Sequence, residues 1–152
     1  MITLKYVLSD DPVVIREQKR MSLRKADLAD LCYSCFGGDL EFRVGGADFS
    51  IITGGGVQIL DFAVEFFAAA RTVGSGGDAR IAFAGMADEI HLKVTGDFVG
   101  VSCNYADGRG EIRRGELIAA SRKFLSQVLD DLETRYPALQ GNKGMKSVRS
   151  WI

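Results

Sequence analysis

Three groups of residues in this chain have types and spacings that could do chemistry. The first is Cys32-Tyr33-Ser34-Cys35, a Cys-x-x-Cys pair of the kind used in thiol redox work or as half of a zinc site. The second is His91, the sole histidine, with Asp88 and Glu89 just upstream. Any conventional general base working near neutral pH falls on it or on a perturbed carboxylate. The third is Thr53-Gly54-Gly55-Gly56, set between a strand-like run and a helix-like one, the order in which phosphate loops are built.

Each group weakens once it is placed on the elements that must position it. Leu23, Leu28, Leu31 and Cys32 predict a short helix, N-capped by Ser22, that ends before Gly37-Gly38. The cysteine pair then sits at a helix C-terminus, where the dipole disfavours the thiolate that redox work requires. No Lys-Ser/Thr follows the glycine run, and the G-x-G-x-x-G spacing fails at Ile59. A strand-to-helix connection is the simpler reading.

The neighbourhood of His91 is set by a hairpin. A turn at Gly96-Asp97 places Val94 opposite Val99, Leu92 opposite Val101 and Ile90 opposite Cys103 on the buried face. Lys93 then faces Gly100 and His91 faces Ser102 on the outer face. A zinc tetrahedron using both His91 and Cys103 is thereby disfavoured, because the two lie on opposite sides of one sheet. Ser102 is mid-strand, with no strained elbow and no evident oxyanion donors, so a hydrolytic triad with His91 and an upstream acid is weak. Neither a metal nor a cofactor is expected.

The remaining elements frame that hairpin. Leu40 to Ile52 reads as a first hairpin turning at Gly45-Gly46, where glycine supplies positive φ at both turn positions; it pairs Val44 with Ala47, Phe42 with Phe49 and Leu40 with Ile51. Ile81, Phe83 and a short strand near Ile112 extend the second hairpin into an antiparallel meander over residues 79–113. Ile59, Phe62, Ala63, Phe66 and Ala70 mark one long helix, with Asp61, Glu65 and Thr72 as its narrow wet face. Leu117, Ala120, Phe124, Val128 and Leu132 mark a second, stopped by Pro137. Alternation of Ile2, Leu4, Tyr6 and Leu8 gives an N-terminal strand, and Val13 to Arg20 a possible second one. The expected fold class is α+β: an antiparallel sheet of hairpins and meander, covered by two main amphipathic helices plus a short N-terminal helix.

One domain is expected over residues 1–152, with an N-terminal strand and helix in 1–35, the sheet and main helices in 38–137, and a docked basic tail in 138–152. No apolar run is long enough to cross a bilayer and no export signal is evident. Three cysteines, an odd number, suit reduced thiols and a cytoplasmic location. Net charge is -1, yet residues 36–107 hold ten acids against four bases, an acidic stretch that would suit a basic protein partner. Arg113-Arg114 and the basic tail lack any nucleic-acid motif, and neither nucleic acid nor membrane is an expected partner.

The chain resembles small bacterial immunity-type proteins associated with polymorphic or contact-dependent toxin systems. The resemblance is carried by Leu60-Asp61-Phe62-Ala63-Val64-Glu65-Phe66-Phe67, by the meander through Cys103-Asn104-Tyr105-Ala106-Asp107-Gly108, and by Phe124-Leu125 and Leu132-Glu133-Thr134-Arg135-Tyr136-Pro137. It covers residues 38–140 and implies an inhibitor that binds a cognate toxin domain, often a nuclease. On that reading the interface residues are Asp61, Glu65, Glu89, His91, Lys93 and Ser102. Two alternatives stand beside it: a ligand-binding or hydrolase-like domain with a pocket near His91, Ser102 and the Gly54-Gly56 loop, and a homo-oligomeric structural protein using the apolar end at Trp151.

Overall fold

A computed structural model describes residues 1–152. It has an α+β fold with two antiparallel sheets where the sequence suggested one. In the first sheet, β1 (Ile2–Leu8) and the two-residue β3 (Ala47–Asp48) flank β2 (Gly37–Val44), and β4 (Val57–Gln58) pairs with the start of β2. The second sheet is the meander β5 (Ala79–Ala82), β6 (Glu89–Thr95), β7 (Phe98–Cys103) and β8 (Gly110–Arg113). Alternation within each strand specifies local pairing and carries no information on whether two hairpins share a ladder, so the division into two sheets was not legible.

Both hairpin registers follow the alternation of apolar residues. Val44 pairs with Ala47, Leu40 bridges Ile51, and every pair expected between β6 and β7 is present, from Val94 with Val99 to Ile90 with Cys103. The turn chemistry differs in one respect. Only the first turn residue of each hairpin, Gly45 (φ 58) or Gly96 (φ 60), is left-handed, which is the type II′ pattern and not one requiring positive φ twice. β3 is cut short because the Phe49 carbonyl accepts the Tyr105 hydroxyl at 2.7 Å, while the Phe42 amide donates to the Ser50 hydroxyl at 3.1 Å. That exchange fastens the first sheet to the loop that follows β7.

The N-terminal third departs most from expectation. Val13 to Arg20 is not a strand: α1 spans Pro12–Lys19, because Asp11 caps the Val13 amide at 2.9 Å and Pro12 occupies the first turn, where its missing N–H costs nothing. These two residues outweigh the β preference of Val13-Val14-Ile15. The next helix, α2, spans Leu28–Ser34 and is capped by Asp27, which accepts from the Asp30 amide at 2.8 Å; Ser22 instead closes a turn through its carbonyl.

Helix α3 (Ile59–Gly74) is the centre of the molecule, packed against α2, α4 (Arg114–Arg135) and both sheets. Ten of its sixteen residues are buried, so the wet face narrows to little more than Ala68, Arg71 and Thr72. The buried core of 35 residues runs without a break from Leu31 to Val148. After a 3₁₀ turn at Pro137–Gly141, α5 (Lys143–Arg149) docks through Met145 and Val148, while Trp151 and Ile152 are 40% and 37% exposed. Asn142 holds this end in place. Wholly buried, it donates to the carbonyls of Leu23 and Ala26 at 2.7 and 2.8 Å and accepts from the Met145 amide at 3.1 Å. Arg149 adds bonds to Asp130 and Glu133 of α4.

Candidate functional site

The outer face of the second sheet gathers four of the expected interface residues. Because β6 and β7 are in regular antiparallel register, Glu89, His91 and Lys93 project to one side with Ser102, which lies opposite His91. Arg80 and Ala82 on β5 and Glu111 and Arg113 on β8 extend the same face, and most of these side chains are exposed. Gly100 keeps the centre flat, since a methyl group there would meet nothing closer than the Lys93 carbonyl oxygen at 3.8 Å. Glu89 sits between two bases, 3.9 Å from Arg80 and 3.8 Å from His91, loose pairs in solvent that contribute little to stability. At one edge Arg113 lies over the Phe98 ring at 5.1 Å, an exposed aromatic and cation pairing.

This face is mixed in charge, with Arg80, Lys93 and Arg113 against Glu89 and Glu111. Of the ten acids in residues 36–107 only Asp61 is buried, and others are committed to backbone amides. Asp39 accepts from the amides of Thr53, Gly54 and Gly55 at 3.2, 3.0 and 2.9 Å, and Asp78 caps the Val94 amide at 2.9 Å. The first of these also disposes of the glycine loop. Its converging amides form an anion nest, but the nest is filled by the chain's own carboxylate, so a phosphate finds no free donors. The loop belongs to the first sheet, whereas His91 and Ser102 lie on the second, so the single pocket drawn around all of them is not formed.

The other two expected residues lie elsewhere. Asp61 is not on a wet face: it is only 4% exposed, because Phe83 and Ala84 close over that side of α3. With half-buried Glu65 one turn on, and with Tyr33, Ala82, Phe83 and Ala84, it lines a pocket of about 250 Å³. Ala82 pairs with Glu89 across β5 and β6, so the pocket borders the open sheet face and shares Ala82 with it. Burial pushes the Asp61 carboxyl up to about 6, helped by Glu65 and opposed by the Ala84 backbone amide.

The same surroundings silence the thiols. Cys32 is pushed up to about 12 by burial and then by Asp61, Glu65 and Cys35, and Cys35 to about 11 by burial and Asp30. All three cysteines are free, and Cys103 packs on the sheet face opposite to His91. No three His, Cys, Asp or Glu side chains are grouped to hold a metal ion. Protonated buried thiols are neither nucleophiles nor metal ligands.

Asp61 makes a pH dependence. Its carboxyl keeps a proton in the folded state that the unfolded chain releases near the ordinary value of 3.8, so the contribution of Asp61 to stability is greatest in acid and falls as pH rises from there through about 6. Asp61→Asn removes that loss. The variant is expected to exceed the parent by about 2 kcal/mol at about pH 8, less than the full shift because the pocket admits water, and to match it near about pH 4. Urea melts at the two pH values measure it; an equal difference at both would refute the buried carboxylate.

Sequence reasoning missed three features: Phe98 with Arg113, Tyr105 as a tie between sheets, and a pocket formed by Arg71, Arg122 and Trp151. The first was within reach, since Thr95 pairs with Phe98 one step beyond the predicted register. No family model matches the chain, no curated protein matches it, and no solved structure matches its fold. No helix is long and apolar enough to cross a membrane.

Proposed function

We propose that this chain is a non-catalytic cytoplasmic binding protein of the immunity type, which inhibits a cognate toxin domain by laying the open face of the second sheet against it. The observation that carries this reading is a hydrogen-bonded four-stranded face, sealed below by the core, that presents Glu89, His91, Lys93 and Ser102 side by side with Arg80 and the Phe98–Arg113 pair. A flat rigid scaffold loses little entropy on docking, and an aromatic next to an arginine is the composition of an interface hot spot. Charges of both signs on the face favour one partner over others more than they add to affinity.

The test pairs growth protection with binding. Cells co-expressing the chain and the toxin domain encoded beside it should grow, and Lys93→Glu with Arg113→Glu should abolish protection and weaken binding at least about tenfold, mainly through faster dissociation. Lys123→Glu, on the exposed side of α4, should leave both unchanged. Full protection and parental affinity in the double variant, with its fold intact by circular dichroism, would sink the proposal.

A ligand-binding role draws its support from Asp61, a buried carboxyl with a raised pKa beside a pocket, and no longer from His91. The homo-oligomer alternative draws on exposed Trp151 and Ile152, and light scattering of the full chain tests it.

A further inference from the structure

On the side of the molecule where α3 meets α4, Trp151 helps line a pocket of about 390 Å³. Its lining joins apolar Phe67, Ala70 and Ile118 to Arg71 of α3 and Arg122 of α4, with Ser121 and Ser150. No carboxylate lines it. Of the ten other arginines, Arg43, Arg80, Arg114, Arg135 and Arg149 pair with acids, Arg113 covers Phe98, and Arg16, Arg20, Arg24 and Arg109 form no ion pair. Arg71 and Arg122 form no ion pair, although they line one cavity and their charges repel.

We infer that this pocket binds a small organic anion with a flat apolar ring, an aryl carboxylate or aryl phosphate, held by Arg71 and Arg122 and stacked on Trp151. A guanidinium presents a planar fork of donors that matches two oxygens of a carboxylate or phosphate, so two such groups at one cavity suit an anion. The apolar lining residues and Trp151, which is 40% exposed and whose indole has no ring partner in the protein, accept the uncharged part. The volume lies within the range of small-molecule sites, about 300–1,000 Å³. A second basic pocket, lined by Arg24, Lys25 and Lys143, fits this chemistry less well because Asp27 stands inside it and no aromatic ring lines it. The C-terminal ends of α3 and α5 lie near the site, and their dipoles oppose an anion, but more weakly than two charge-assisted contacts attract it.

Trp151 is the only tryptophan in the chain, so its fluorescence reports this pocket alone. Phenyl phosphate and benzoate, titrated separately into the full chain, tell the two oxyanions apart; inorganic phosphate lacks the ring and benzylammonium reverses the charge. A saturable change in Trp151 emission is expected with at least one aryl anion, at least about tenfold tighter than with inorganic phosphate, and none with benzylammonium. Arg71→Gln and Arg122→Gln should each weaken it about tenfold or more without altering the thermal melt. Absence of a saturable signal with both aryl anions overturns the site. So does binding unchanged in both variants, or benzylammonium binding as tightly as the anions; inorganic phosphate binding as tightly as the aryl anions overturns the stacking.

Discussion

Phe62→Ala should lower the stability of the fold by about 4 kcal/mol, the upper part of the range for removing a buried phenylalanine. Its ring is wholly buried and touches four others, each from a different quarter of the molecule. Phe83, beyond the end of β5, stacks on it at 5.5 Å with an interplanar angle of 8°; Phe124 of α4 stands edge-on at 5.7 Å, Phe42 of β2 at 6.0 Å, and Phe66 lies one turn along α3 at 5.7 Å. Truncation therefore removes transfer energy and opens a cavity where α3, α4 and both sheets meet, a place with few ways to collapse. With a slope of roughly 2 kcal/mol per molar urea, the midpoint should fall by about 2 M. Phe98→Ala, on the open sheet face, serves as the contrast and should cost less than about 1 kcal/mol. Equal losses in the two variants would show that the aromatic cluster is not the keystone proposed.

Gly110→Ala should cost about 3 kcal/mol, although alanine in a strand is ordinarily at least as good as glycine. A Cβ at this position would run into the carbonyl oxygen of Val44 and stand 3.0 Å from its carbonyl carbon and 3.1 Å from its Cβ. The obstacle is backbone, so no rotamer change relieves it. The edge of the second sheet meets the first sheet here, and the methyl group would lever the two apart. Gly100→Ala is the matched control: its Cβ would make only an ordinary contact with the Lys93 carbonyl oxygen at 3.8 Å, and the expected change is within about 0.5 kcal/mol, toward greater stability. If the two alanine variants melt together, the sheets are not locked at this crossing.

How much of this was legible depends on whether the signal was local. The β6–β7 register could be read pair by pair because glycine fixes the turn and the alternation fixes the face. Helix α3 was equally plain from Ile59, Phe62, Ala63 and Phe66, yet its wet side was misjudged: a helical wheel ranks faces by their own residues and cannot reveal that Phe83 and Ala84, some twenty residues on, close over Asp61. Helix α1 was lost because three β-branched residues obscured the Asp11-Pro12 start signal. The role of Asp39 was hidden for a related reason, since net charge does not distinguish a carboxylate committed to three backbone amides from one facing solvent. The convergence of Arg71, Arg122 and Trp151 joins three distant segments and leaves no periodic trace.

The seat of Asn142 has a bearing on how the chain matures. The carbonyls of Leu23 and Ala26 receive their side-chain donor from a residue synthesised well over a hundred positions later. During translation the stretch before α2 must wait, and the N-terminal third acquires its full complement of bonds only once α5 has left the ribosome. Full protection of the N-terminal third from proteases is therefore expected to follow the docking of α5, and not the emergence of the sheets.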